Sequence, residues 1–179
     1  ADAPGSGGAG HAMTPPRIVT AGALPELLYT HDAPVAEPTR ALLARVASLR
    51  SAQPDGLAGV APHRPADDDW PAWLALGRDL QDLYESLAAE DVPIGAVAER
   101  CAARGRFIDE QRWEAMTRLQ DAYLRTLRDA GFDDRHEARR RAIVEKRCAT
   151  DRDVVLIATA DLNRVSRAML EQVAPRVTA

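Results

Sequence analysis

Residues 153–163 read Asp153-Val154-Val155-Leu156-Ile157-Ala158-Thr159-Ala160-Asp161-Leu162-Asn163, and their pattern decides the fold class. Val154 to Ala158 is an unbroken apolar run rich in β-branched side chains. A strand that turns one face to water alternates apolar and polar residues. A continuous run predicts a strand buried on both faces, as in a parallel sheet. Asn163 then stands at a helix-capping position, and Val165, Met169, Leu170 and Val173 form the apolar face of the helix it opens. Pro175 stops that helix, and Arg176-Val177-Thr178 begins a second extended run. The chain therefore closes on a strand–helix–strand unit.

Upstream, the character is helical. Asp133 and Asp134 precede a basic helix running to about Arg147. Before it, Asp109 opens a helix with Trp113, Met116, Leu119, Gln120, Tyr123 and Leu127 along one side, ended by Gly131. The run Asp67-Asp68-Asp69 opens another, with Trp73, Leu76, Leu80, Leu83 and Leu87 at spacings of three and four. Asp91 and Pro93 separate it from a shorter helix with Ile94, Val97, Ala98 and Cys101 inward, ended by Gly105. Leu42, Leu43, Val46 and Leu49 mark a first helix beginning at Pro38. Residues 53–66, with three prolines and two glycines, read as a loop. At the amino-terminal side, Arg17-Ile18-Val19-Thr20 is a short β-prone run, Ala21-Gly22 a turn and Leu24–Tyr29 a short helix with Pro25 in its first turn.

The expected fold is mostly α within an α/β frame: a partial parallel sheet interrupted by a large helical insertion. Residues 1–13, rich in Gly, Ala and Ser, read as a flexible lead. Residues 14–36 supply a strand and helix of the α/β core, 37–150 the helical insertion, and 151–179 the strand–helix–strand return.

The 179 residues carry a formal charge of -4. A chain working mainly as a free nucleic-acid binder is usually basic, so any such contact must come from a local patch. The two cysteines, Cys101 and Cys148, form no CxxC pair, and reduced thiols in a cytoplasm are expected. No apolar run approaches the roughly 20 residues that span a bilayer, so no membrane partner is expected.

Catalytic constellations are missing. Gly5-Ser6-Gly7-Gly8 has no Lys after it and no strand before it, unlike a phosphate loop. His11, His31, His63 and His136 are scattered, and Asp67–Asp69 is explained by helix capping and the helix dipole. No metal and no cofactor are expected. The Glu145-Lys146 pair lacks the acid–X–Lys spacing of a metal-dependent nuclease. Trp70, Trp73 and Trp113 could stack on bases, but Trp73 and Trp113 fall at core positions.

One patch stands out. Residues 135–147 carry Arg135, Arg139, Arg140, Arg141, Lys146 and Arg147 against Glu137 and Glu145, six cations less two acids, or +4. One reading is a solvated helix whose cations oppose the macrodipole. The other is contact with DNA phosphates or an acidic partner.

Three stretches together resemble the amino-terminal region of AddB-like helicase–nuclease subunits in the PD-(D/E)XK nuclease family. They are Pro15-Pro16-Arg17-Ile18-Val19-Thr20-Ala21-Gly22-Ala23-Leu24-Pro25-Glu26-Leu27-Leu28-Tyr29, the run from Asp151 to Arg164, and the helical spacer containing Asp68-Asp69-Trp70-Pro71-Ala72-Trp73-Leu74-Ala75-Leu76. The resemblance covers residues 14–179. It implies a helicase-like α/β domain whose terminal strands share one sheet, with residues 37–150 inserted. It also implies a fragment of a longer protein that processes DNA double-strand breaks alongside a helicase partner subunit. The run 154–163 is similar to the family's Walker-B strand in degenerate form: Ile157, Ala158 and Thr159 stand where the strand should end in an acid, and Asp161 comes late. ATP hydrolysis by this segment is therefore not expected. The role implied is non-catalytic DNA engagement. The rival is a helical protein–protein interaction module with no nucleic-acid role.

Overall fold

The computed structural model describes residues 15–105, 108–159 and 161–179. The flexible lead expected at 1–13 lies outside these residues, as does Ala160. The described chain is mostly helical with one small parallel sheet. Its elements are α1 (Pro38–Ser51), α2 (Pro54–Ala58), α3 (Trp70–Ala89), α4 (Ile94–Ala102), α5 (Glu110–Asp129), α6 (Arg135–Val144), β1 (Val154–Val155), α7 (Arg164–Gln172) and β2 (Val177–Thr178). Short 3-10 turns lie at Leu24–Leu27 and Ala174–Arg176.

Two apolar clusters organise the molecule. The larger joins α1, α3, α4 and α5 through Val46, Leu49, Trp73, Leu80, Tyr84, Ile94, Met116, Leu119, Tyr123 and Leu127. The apolar stripes read from α3 and α5 are the faces that meet here. Trp73 is fully buried, and its indole N–H donates to the Ala66 carbonyl at 2.9 Å. That bond ties the loop before α3 to the bundle and satisfies the one polar atom of a buried indole. The second cluster joins Leu24, Leu28 and Tyr29 to Ala138 and Ala142 of α6 and to Val165, Met169 and Leu170 of α7. Helix α6 thus shares its core with residues 24–29 and with α7.

Helix α1 departs from its expected face. Leu43 is 52% exposed, while Arg45 and Ser48 are buried. The cause is the close approach of α3. Gly77 lies against α1 so tightly that an added Cβ would sit 2.8 Å from Val46 Cγ2 and 3.2 Å from Leu42 Cδ1. Alanine is the better helix former by about 1 kcal/mol, yet overpacking costs about 1–3 kcal/mol. The expected outcome for Gly77→Ala is a net loss of about 1 kcal/mol, read as a lower urea midpoint. A rise in the midpoint would mean that α1 and α3 slide apart freely.

Several other expectations are corrected. Residues 17–20 form no strand, and Ile18 is 93% exposed. Terminal strands 17–20 and 154–158 therefore do not share a sheet. Instead β1 pairs in parallel with β2, Val154 opposite Val177 and Val155 opposite Thr178. The expected five-residue buried strand is two residues long, with Val155 65% and Ile157 81% exposed. Two strands cannot cover both faces of a sheet, so the apolar run lies half bare. Ala158 then takes a left-handed φ of 52°, which ends the extended backbone.

The residues at 24–29 form a 3-10 turn over Leu24–Leu27, and Tyr29 joins an antiparallel bridge to Cys148. The loop at 53–66 contains α2. In α4 only Ile94 is buried, and Val97, Ala98 and Cys101 are half-buried. Asp109 holds the cap position of α5 but makes no capping bond, whereas Asp69, Asp134 and Asn163 cap as read. No helix among the described residues is long and apolar enough to cross a membrane.

Candidate nucleic-acid interface

Helix α6 exists because Asp134 caps it. One carboxylate oxygen accepts from the backbone N–H groups of His136 and Glu137 at 2.9 and 3.1 Å. The helix ends at Val144, three residues before the expected Arg147, and Lys146 has a φ of 53°. The six cations therefore do not share one helical face.

Arg139 points inward. It is 7% exposed, and its Nε and Nη2 donate to Glu26 Oε1 at 2.8 and 2.6 Å. Glu26 also accepts from the Tyr29 hydroxyl at 3.0 Å and lies 4.0 Å from Arg135 Nε. Arg141 donates to Asp133 at 3.1 Å and reaches Asp32 at 3.5 Å. Hydrogen bonding to Asp133 pushes the Arg141 pKa further up. Arg147 forks onto Asp32, Nη1 to Oδ1 at 2.7 Å and Nη2 to Oδ2 at 2.8 Å. That fork holds the Asp32 carboxyl below the usual carboxylate range and raises Arg147. Arg147 Nε also lies 2.6 Å from Glu145 Oε2, without an aligned N–H bond. Arg140 pairs with Glu137 at 3.2 Å across one helical turn and stays half-exposed. Lys146 is exposed and makes no ion pair among the described residues.

Sequence reasoning missed Glu26, Asp32 and Asp133 as partners of this patch. Glu26 and Asp32 lie 113 and 115 positions from the arginines they bind. No local window shows them. These three carboxylates offset three of the four net positive charges of residues 135–147.

No known protein family matches the chain, and no curated protein and no solved structure shows significant similarity to it.

The Walker-B-like residues gather no nucleotide site. Ile157 is exposed, Ala158 turns the chain, Thr159 is half-buried, and Asp161 is exposed beyond the turn. Among the described residues no three His, Cys, Asp or Glu side chains cluster closely enough to hold a metal. A cleft of about 380 Å³ between α3 and α5 is lined by Leu76, Leu80, Leu83, Trp113 and Met116, with Asp79 and Arg112 among its polar residues. Trp113 is thus half-buried, and the cleft pairs no nucleophile with a base.

Behind α6 lies a buried polar network. Tyr84 and Tyr123 donate their hydroxyls to Asp134 at 2.5 and 2.7 Å. Burial first, and the adjoining carboxylate second, push both phenols far above their usual value of 10.0. Tyr29 is raised in the same way by burial and Glu26. These are all three tyrosines of the chain. A folded pKa above the unfolded one gives stability that is complete below the unfolded value and lost as pH rises through the folded one. Stability should therefore decline once pH passes about 10. Phenolate absorbance should stay silent until the helical circular dichroism collapses. A phenolate titrating near pH 10 in the folded chain would contradict this placement.

Proposed function

We propose that this chain is a non-catalytic, DNA-engaging segment of an AddB-like helicase–nuclease that processes DNA double-strand breaks. The observation that carries the reading is the parallel β1–α7–β2 unit, which follows a block of helices and leaves its sheet open. The resemblance implies a helicase-like sheet that continues after a helical subdomain, and this unit matches the part that follows the helices, without the strand expected at 17–20. In such a machine the partner subunit supplies the motor.

The phosphate-contacting set is narrower than the sequence suggests. Arg139 is committed to Glu26, and Arg141 and Arg147 to Asp32, Asp133 and Glu145. Arg135, Arg140 and Lys146 are the more available cations of the patch. Each phosphate contact contributes a salt slope of about 0.9 in log K against log salt. Replacing Arg140 and Lys146 together with Ala should therefore lower the slope by about two and weaken binding uniformly across sequences. Fluorescence anisotropy with labelled oligonucleotides over a salt series measures this. An unchanged slope would sink the DNA-contact reading.

A second reading is favoured by the charge pairing over α6. The chain would then be a helical protein-interaction module with no nucleic-acid role. A stable hetero-complex formed without DNA, and salt-insensitive behaviour with DNA, would select it.

A further inference from the structure

The Arg147–Asp32 pair lies just beyond the end of α6 and is open to solvent, and its geometry is that of an occupied anion site. Arg147 presents two parallel N–H groups to two oxygens at 2.7 and 2.8 Å, and Arg141 Nη1 lies 3.5 Å from the second oxygen. A planar guanidinium fork accepts a carboxylate and a phosphate in the same way. Side-chain exposure is 37% for both arginines and 51% for Asp32. Solvent therefore reaches all three groups, unlike the Arg139–Glu26 pair.

The backbone carrying Asp32 is pinned on both sides. Tyr29 bridges to Cys148, and Val35 bridges to Asp133. Ala149 N–H donates to the Leu28 carbonyl at 2.8 Å, and Asp133 N–H to the Pro34 carbonyl at 2.9 Å. Residues 30–34 form an arch over the end of α6. None of these backbone bonds involves the Asp32 side chain. A tethered carboxylate competes at high effective concentration with any anion arriving from solution.

We propose that Arg141 and Arg147 form a binding site for a backbone phosphate of DNA, and that Asp32 occupies it as a built-in competitor until the nucleic acid displaces it. This inference rests on the DNA reading above. The nearby fixed acids, Asp133 on Arg141 and Glu145 beside Arg147, orient the two guanidinium groups while leaving the fork of Arg147 to Asp32. Removing the Asp32 charge frees that fork without moving the arch.

The test compares the full chain with Asp32→Asn and with the double variant Asp32→Asn/Arg147→Gln, using a fluorescein-labelled DNA oligonucleotide. Circular dichroism confirms the fold of each. Asp32→Asn should bind more tightly at low salt. One added phosphate contact should make its loss of affinity between ~50 and ~200 mM salt about threefold larger. The double variant should return to the parent value. If Asp32→Asn binds as the parent does while loss of Arg140 and Lys146 still weakens binding, the site is overturned and the DNA reading stands. If neither the parent nor Asp32→Asn binds, both fall. Inorganic phosphate at matched ionic strength is the second probe. Displacement of the oligonucleotide from Asp32→Asn by phosphate beyond that by chloride would overturn the backbone assignment in favour of a free-anion site.

Discussion

Replacing Asp134 with Ala should cost about 4 kcal/mol of stability. The carboxylate is 5% exposed and accepts four hydrogen bonds: the hydroxyls of Tyr84 and Tyr123 and the backbone N–H groups of His136 and Glu137. Loss of the cap alone costs about 1 kcal/mol. Each tyrosine hydroxyl left without its charged acceptor in a buried setting adds about 1.5 kcal/mol. Asp134→Asn should be milder, near 1–2 kcal/mol. Its amide oxygen keeps the capping bonds, and its nitrogen can donate to one tyrosine oxygen. Urea denaturation followed by tryptophan fluorescence measures both. A loss below 1 kcal/mol for the alanine variant would mean that water replaces the carboxylate, and that the tyrosines do not depend on it.

The same network bears on pH at the acid side. His136 packs edge-on to Tyr84 with ring centroids 5.4 Å apart. Burial, opposed by Asp134, holds the imidazole below its usual value. A base whose folded pKa is lowered makes folding less favourable as pH falls through the unfolded value near 6.5. The α6 end of the molecule is thus constrained from both sides of the pH scale, by a histidine kept neutral and by two phenols kept protonated.

What the sequence revealed and what it hid divide along physical lines. The faces of α3 and α5 were legible because Trp73, Leu80, Met116, Leu119, Tyr123 and Leu127 repeat with the helical period, and periodicity is a local property. The caps at Asp134 and Asn163 were legible because capping needs a short acceptor within three residues of the N–H it receives. The strand expected at 17–20 failed because β-propensity reports how well a side chain fits a half-buried pleated surface. Ile18 has no such surface beside it. The short, half-bare β1 failed for the same reason: Val154–Ala158 carries the apolar signal of a central strand, but only β2 pairs with it. The pairing of the charge patch is hidden because the acids that meet it are remote in sequence. A run of arginines looks basic until the tertiary fold lays Glu26 and Asp32 across it. The burial of Arg45 has no local signal, since an arginine between Ala44 and Val46 in a helix reads as solvated.

Arg45 carries the second large expectation. It is 1% exposed in the middle of α1, among α3 and α5, with no carboxylate in direct contact. Its Nε and Nη2 donate to Gln81 Oε1 at 3.2 and 2.9 Å, and its Nη1 donates to Gln120 Oε1 at 2.6 Å. The guanidinium lies 3.7 Å from the Tyr123 ring centroid and 5.2 Å from that of Tyr84. Amide oxygens and aromatic faces thus solvate a buried cation, and the nearest opposite charge, Asp134, stands behind the two phenols. Burial lowers the Arg45 pKa, with Tyr123, Tyr84 and Asp134 opposing. Arg45→Ala should cost about 4 kcal/mol, since it opens a cavity and strips both glutamine oxygens of their donors. Arg45→Met fills the stem and should cost about 2 kcal/mol. The orientation of Gln120 makes the difference informative. Its Nε2 has no hydrogen-bond partner, a cost accepted because a flipped amide would set its N–H groups against the guanidinium. In Arg45→Met that constraint is gone, and Gln120 can rotate to pair its Nε2. If so, the methionine variant loses less than the sum of its missing bonds. Combined with Asp134→Asn, it should show a coupling of about 1 kcal/mol, because the two charges attract one another across Tyr84 and Tyr123, with Glu85 a further opposite charge near Arg45. Strict additivity of the two substitutions would instead mean that the tyrosine pair screens them completely, and that the buried cation is held by its amide partners alone.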